Sequence, residues 1–155
     1  MKPYMLKIFL IIAGLLIFTI ACSSAPAPPA IDPGQGAQML AGRYTTTISA
    51  EDIETLDTLD PDIASNQGGW DITLTDEGDF TAELEGQWIA DGNFTVNGNS
   101  IEVYIEYVCD DCQCQANVGR YVWALEDDHL HFRKVADSCD GLALVMTAHP
   151  LTRQP

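Results

Sequence analysis

From Gly69 to Val108 the chain alternates apolar with polar residues: Trp70, Ile72 and Leu74, then Phe80, Ala82 and Leu84, then Ile101, Val103, Ile105 and Tyr107. A period of two is the mark of strands with one buried and one wet face. Turn residues interrupt the runs at Asp76-Glu77-Gly78, Glu85-Gly86, Asp91-Gly92 and Asn97-Gly98. Asn-Gly between alternating runs is a strong hairpin signal, because only residues that tolerate positive φ match the twist of the flanking strands. The pattern predicts an antiparallel meander.

The flanks extend it. Gly42 to Ile48, rich in β-branched residues, reads as the first strand. Ser49 then precedes Ala50-Glu51-Asp52-Ile53, an N-cap with acids in the first turn, which predicts a short helix. Asp57 to Gln67 reads as a loop. After the meander, Gly119 to Leu125 and His129 to Val135 read as strands around the turn Glu126-Asp127-Asp128, and Leu142 to Thr147 as the last strand. About eight antiparallel strands most easily remove their edges by closing into an up-and-down barrel, so the expected class is all-β with one short helix after the first strand. A barrel of that size is either filled by its side chains or holds one small ligand. Trp70, Trp88, Trp123, Phe80, Phe94 and Phe132 favour filling, whereas Ala82, Ala90 and Ala143 leave room, so the pattern leaves both open.

The N-terminus stands apart from this pattern. Lys2 and Lys7 precede the apolar run Ile8 to Ile20, which ends in Ala21-Cys22-Ser23-Ser24. A basic start, a short apolar segment and small residues after it describe an export signal. The Cys directly after Ala21 resembles the lipobox of bacterial lipoproteins, with Thr19 where that family prefers Leu. The resemblance implies cleavage after residue 21, a diacylglyceryl thioether and an acylated amine on Cys22, and attachment through that lipid to the extracytoplasmic face of the cell membrane or the outer membrane. Residues 22–38, rich in Pro, Ala, Gly and Ser, read as an extended tether. The folded domain is expected over 39–155, starting near Met39.

The full chain carries 7 Lys and Arg against 23 Asp and Glu. Removing residues 1–21 takes away two lysines and no acid, leaving a formal charge of −18. Such a surface excludes nucleic acid as a partner, because its binders need a basic face. It also disfavours lying flat on an anionic leaflet.

The folded part resembles the bacterial lipocalin-like domains of the calycin type. The resemblance rests on Leu40-Ala41-Gly42-Arg43-Tyr44-Thr45, on Gly69-Trp70 with Leu74-Thr75, and on Ala148-His149-Pro150-Leu151-Thr152-Arg153. Tyr44 stands where lipocalins proper carry Trp, and no sequence remains for their C-terminal helix. The resemblance implies that Arg153 packs over the Tyr44 ring and closes one end of the barrel. Any ligand site would then lie at the other end.

Candidate chemistry is sparse. Asp60-Pro61-Asp62 offers carboxylates for Ca²⁺, but at no EF-hand spacing. His129 and His131 share one strand face, the wet one, since Leu130 and Phe132 take the core side. Cys109, Cys112, Cys114 and Cys139 have the composition of a soft-metal site, and Cys109-Asp110-Asp111-Cys112 the spacing of a redox motif. Carboxylates beside the thiols oppose the low thiol pKa that redox chemistry needs, and export favours oxidation to disulfides. In an up-and-down barrel the two cysteine-bearing loops emerge at the same end. The expected pairing is Cys114–Cys139 with Cys109–Cys112, and Cys109–Cys139 is its rival. No cofactor and no metal are expected. The function these features favour is non-catalytic binding of a small apolar molecule or lipid; the alternative is a structural or protein-interaction module of the envelope with a filled barrel. Ligand identity and oligomeric state are not legible.

Overall fold

The alternating runs close into a ring. In the structure, a computed structural model describing residues 33–56, 62–109, 112, 114 and 116–155, eight antiparallel strands pair in sequence order and the last returns to the first. The strands are β1 (Gly42–Ile48), β2 (Gly68–Leu74), β3 (Asp79–Leu84), β4 (Gln87–Asn97), β5 (Ser100–Val108), β6 (Val118–Glu126), β7 (His129–Ala136) and β8 (Leu151–Arg153). Among the described residues three α-helices accompany them: α1 (Pro33–Leu40), α2 (Ala50–Glu54) and α3 (Asp140–Thr147), with a 3-10 turn at Ile63–Asn66. Cys22, the signal residues 1–21, the start of the tether, Asp60-Pro61 and Asp110-Asp111 lie outside the described residues.

Period-two burial is clean on most strands. Ile101, Val103 and Ile105 on β5 point inward, and Ser100, Glu102 and Tyr104 point to solvent. The turn Glu85-Gly86 has positive φ at both residues, 51° and 77°, the two-residue hairpin geometry whose twist suits the strands it joins. Asp91-Gly92 is not the turn expected of it. β4 runs straight through, and the pairing with β5 shifts register there instead. Glycine is required at this bulge, since a Cβ on Gly92 would overlap the Tyr104 carbonyl of the neighbouring strand.

The expected last strand is also different. Leu142 to Thr147 belongs to helix α3, and the eighth strand is Leu151–Arg153. A continuous apolar run has no period to tell strand from helix. Cys139 caps the helix, its Sγ accepting from the Leu142 amide at 3.3 Å, and Ala143, Leu144, Val145 and Met146 are all buried. Ala143 therefore lies on a helix, not in the barrel wall. α2 forms as expected: Ser49 and Asp52 make a reciprocal capping box.

The folded part starts earlier than Met39. α1 reaches back to Pro33 and packs on β4, with Gly36 seated on Val96 where a side chain would clash. Tertiary docking makes a helix of residues whose Pro and Gly content reads as linker.

The connections sort onto two poles. The β2–β3, β4–β5 and β6–β7 turns and α1 lie at one. The β1–β2, β3–β4, β5–β6 and β7–β8 connections, with α2 and α3, lie at the other.

Candidate ligand cavity

At the α1 pole the ring is plugged. Tyr44 is fully buried and donates from its hydroxyl to the Leu40 carbonyl at 2.8 Å. The Arg153 guanidinium lies 5.3 Å from the Tyr44 ring centroid and donates to the Tyr44 hydroxyl, the Met39 carbonyl and the Ala41 carbonyl. Burial pushes the Tyr44 hydroxyl above its ordinary pKa, with Arg153 opposing that shift.

At the other pole the interior is open. Strand register stacks inward residues in rungs. Leu74, Phe80, Gly92 and Ile105 pair around one rung, Ile72, Ala82 and Ala90 around the next, and Trp70 with Leu84 around the one nearest the pole. The middle rung sets two alanines opposite each other, and the volume that larger side chains would fill remains as a cavity of about 300 Å³. Its walls are Trp70, Ile72, Phe80, Leu84, Ile89 and Ile105 together with the two alanines. A register shift after Ala82 turns Ile89 toward the interior beside Ala90. Trp70 is held in place by its indole N–H, which donates to the Asn66 carbonyl at 2.9 Å.

The roof consists of Leu142 and Val145 from α3, the four cysteines, and Asp62, Ser65 and Asn66 from the 3-10 segment. The cysteines form two disulfides, Cys109–Cys112 and Cys114–Cys139, with Cα atoms 5.1 and 5.4 Å apart. Cys139 precedes a helix and not a strand, yet the loops still meet at one pole. A polar knot locks this junction: Asp137 accepts from the Tyr121 hydroxyl, from Asn117 Nδ2 at 2.7 Å and from the Cys139 amide at 2.8 Å, and Ser138 donates to Asn117 Oδ1 at 2.7 Å. Burial, then the adjacent Asp137 carboxylate, pushes the Tyr121 hydroxyl far above its usual range.

This arrangement can desolvate an apolar body, and among the described residues it offers the Asp62 carboxylate, the Ser65 hydroxyl and the Asn66 amide at the mouth. With the thiols bridged, the C-x-x-C presents no thiolate. His129 and His131 lie on β7 away from the cavity, and His149 instead meets Asp52 at 3.0 Å. Among the described residues no group of three or more His, Cys, Asp or Glu is placed to hold a metal ion. Asp62 lines the cavity mouth. A second depression of about 450 Å³ lies outside the barrel between α2 and α3, edged by Asp52, Lys134 and Asp140.

The wall residues were partly visible in the sequence, since Trp70, Phe80, Ala82 and Ala90 fall on inward positions. Leu142, Val145 and Asn66 were not, because helix docking brings them over the mouth. No family model, no curated protein and no solved structure matches this chain.

Proposed function

We propose that the chain is a membrane-anchored extracytoplasmic lipoprotein whose lipocalin-like barrel binds a small apolar molecule or lipid without transforming it. The carrying observation is the cavity of about 300 Å³ walled by aromatic and aliphatic side chains at the disulfide pole. That volume sits at the lower end of the range for small-molecule sites, and its composition, apolar walls with a few polar groups at one edge, is theirs too. Each methylene moved from water into such a wall contributes about 0.8 kcal/mol. Lipid on Cys22 supplies the anchor, through the membrane affinity of its acyl chains.

Native mass spectrometry on protein purified from its own host tests the binding. An apolar adduct is expected on the unmodified protein. It should be lost in Ala82→Phe, which fills the middle rung and leaves the melting temperature unchanged or higher. A bare mass, together with no uptake of an apolar fluorescent probe, would favour the structural module with a filled barrel. For the anchor, Cys22→Ser should release the protein from the membrane fraction; unchanged partitioning would refute it.

A further inference from the structure

We infer that the cavity selects apolar molecules bearing a positive charge, lipophilic amines with the ammonium at the mouth, and rejects fatty-acid anions. The inference rests on the binding reading above and adds the ligand's charge.

Among the described residues the cavity lining includes one ionisable side chain outside the disulfides, Asp62, and no Lys, Arg or His. The five cations of the described fold are all placed elsewhere. Arg43 pairs with Asp71, Arg120 with Glu102 and Lys134 with Asp140. Arg153 is committed to Tyr44 at the opposite pole, and Arg133 points to solvent from β7. An acyl carboxylate seated with its tail in the barrel would have no cation to meet, and it would face Asp62 within the field of a chain with net charge −16. An ammonium in the same place gains from both. Trp70 adds to this. It forms the wall on the rung nearest the mouth, fixed by its bond to Asn66, and an indole face attracts a cation. Ser65 and Asn66 supply oxygens for the ammonium hydrogens or for its water. A mouth of this kind works by charge and field, with the head group still wet, and so discriminates modestly and in a salt-dependent way.

The test compares three ligands with one tail: octylammonium, octanol and octanoate, each below its micelle concentration, titrated against the whole folded domain by calorimetry and by tryptophan fluorescence at neutral pH. Octylammonium should bind on the order of tenfold more tightly than octanoate, with octanol between, since each wet charge contact contributes up to about fivefold. High salt should narrow the gap. Asp62→Asn, an exposed near-isosteric change, should weaken octylammonium about threefold and leave octanol unchanged. If octanoate binds as tightly as octylammonium, or Asp62→Asn weakens all three alike, the charge selection is wrong and the apolar binding site stands. If none of the three binds, the binding reading falls and the selection with it.

Discussion

Arg153 ties β8 to two other segments with one planar group, donating to the Tyr44 hydroxyl on β1 and to the carbonyls of Met39 and Ala41 at the end of α1. Hydrogen bonds from a charged donor contribute about 1.5–3 kcal/mol, so Arg153→Ala should lower stability by about 2–3 kcal/mol. Arg153→Lys should recover less than half, because an ammonium lacks the fork. Urea unfolding measures both, and a loss within the ordinary surface range of about 0.5 kcal/mol would refute the clamp. Two other residues shape the pH profile in opposite ways. The Ser49 hydroxyl and amide, with His149, hold Asp52 down from 3.8 to about 2. A depressed carboxylate stabilises the fold fully above its unfolded value, and that contribution fades as pH falls from there through about 2. Tyr121 is shifted upward from 10.0, so its contribution is complete below that value and is lost as pH rises beyond it. Melting temperature against pH should therefore fall at both extremes. Asp52→Asn should flatten the acid limb and Tyr121→Phe the alkaline one; limbs unchanged in the variants would refute the assignment.

Elements differ in how far local sequence decides them. β2, β3 and β5 follow directly from alternation because one face of each is buried and the other wet. Leu142–Thr147 does not, since a helix roofing the barrel end buries several of its sides and erases the period. α1 was hidden for the opposite reason: Pro33-Gly34-Gln35-Gly36 has weak helical preference, and Gly36 is useful only because Val96 is there to receive it. The cavity was half legible. Ala82 and Ala90 announce small inward positions, but their meeting on one rung depends on strand register around a bulge that no local signal places. The disulfides act at this scale as well. Cys114–Cys139 spans 25 residues and joins the β5–β6 loop to the start of α3, whereas Cys109–Cys112 spans only 3. The chain-entropy estimate gives about 3.5 kcal/mol for the long bridge and about 2 kcal/mol for the short one. Replacing Cys114 and Cys139 by Ala should cost the larger amount and also weaken any cavity ligand, since both sulfurs lie in the roof. Equal losses from the two bridges would contradict this ranking.

Across the whole molecule the two ends of the barrel divide the work. The α1 pole is packed and clamped, and the disulfide pole leaves space beneath a cross-linked roof. The strands between them form long ladders except at the point of closure, where β8 contributes three residues. Its in-register pairs are with Tyr44 and Thr45 of β1 and with His129 and Leu130 of β7, and the Gln154 and Arg153 amides add one bond each, to the Arg43 and Asp128 carbonyls. Amide hydrogen exchange should therefore find Thr152 and Arg153 opening well before Val103 and Ile105, at a free energy below that of global unfolding. Uniform protection around the ring would show the closure to be as firm as the rest. The short strand also has a consequence for association between molecules. A ring shut by so small a segment becomes, once that segment lifts, a curved seven-stranded sheet with the edges of β1 and β7 bare. Those edges fit a β8 from any copy of the chain, so exchange of this tail between neighbours would link them into pairs or chains with no new contact invented. The contacts of Arg153 with the Tyr44 ring and hydroxyl oppose that exchange, because they must break before the tail can lift.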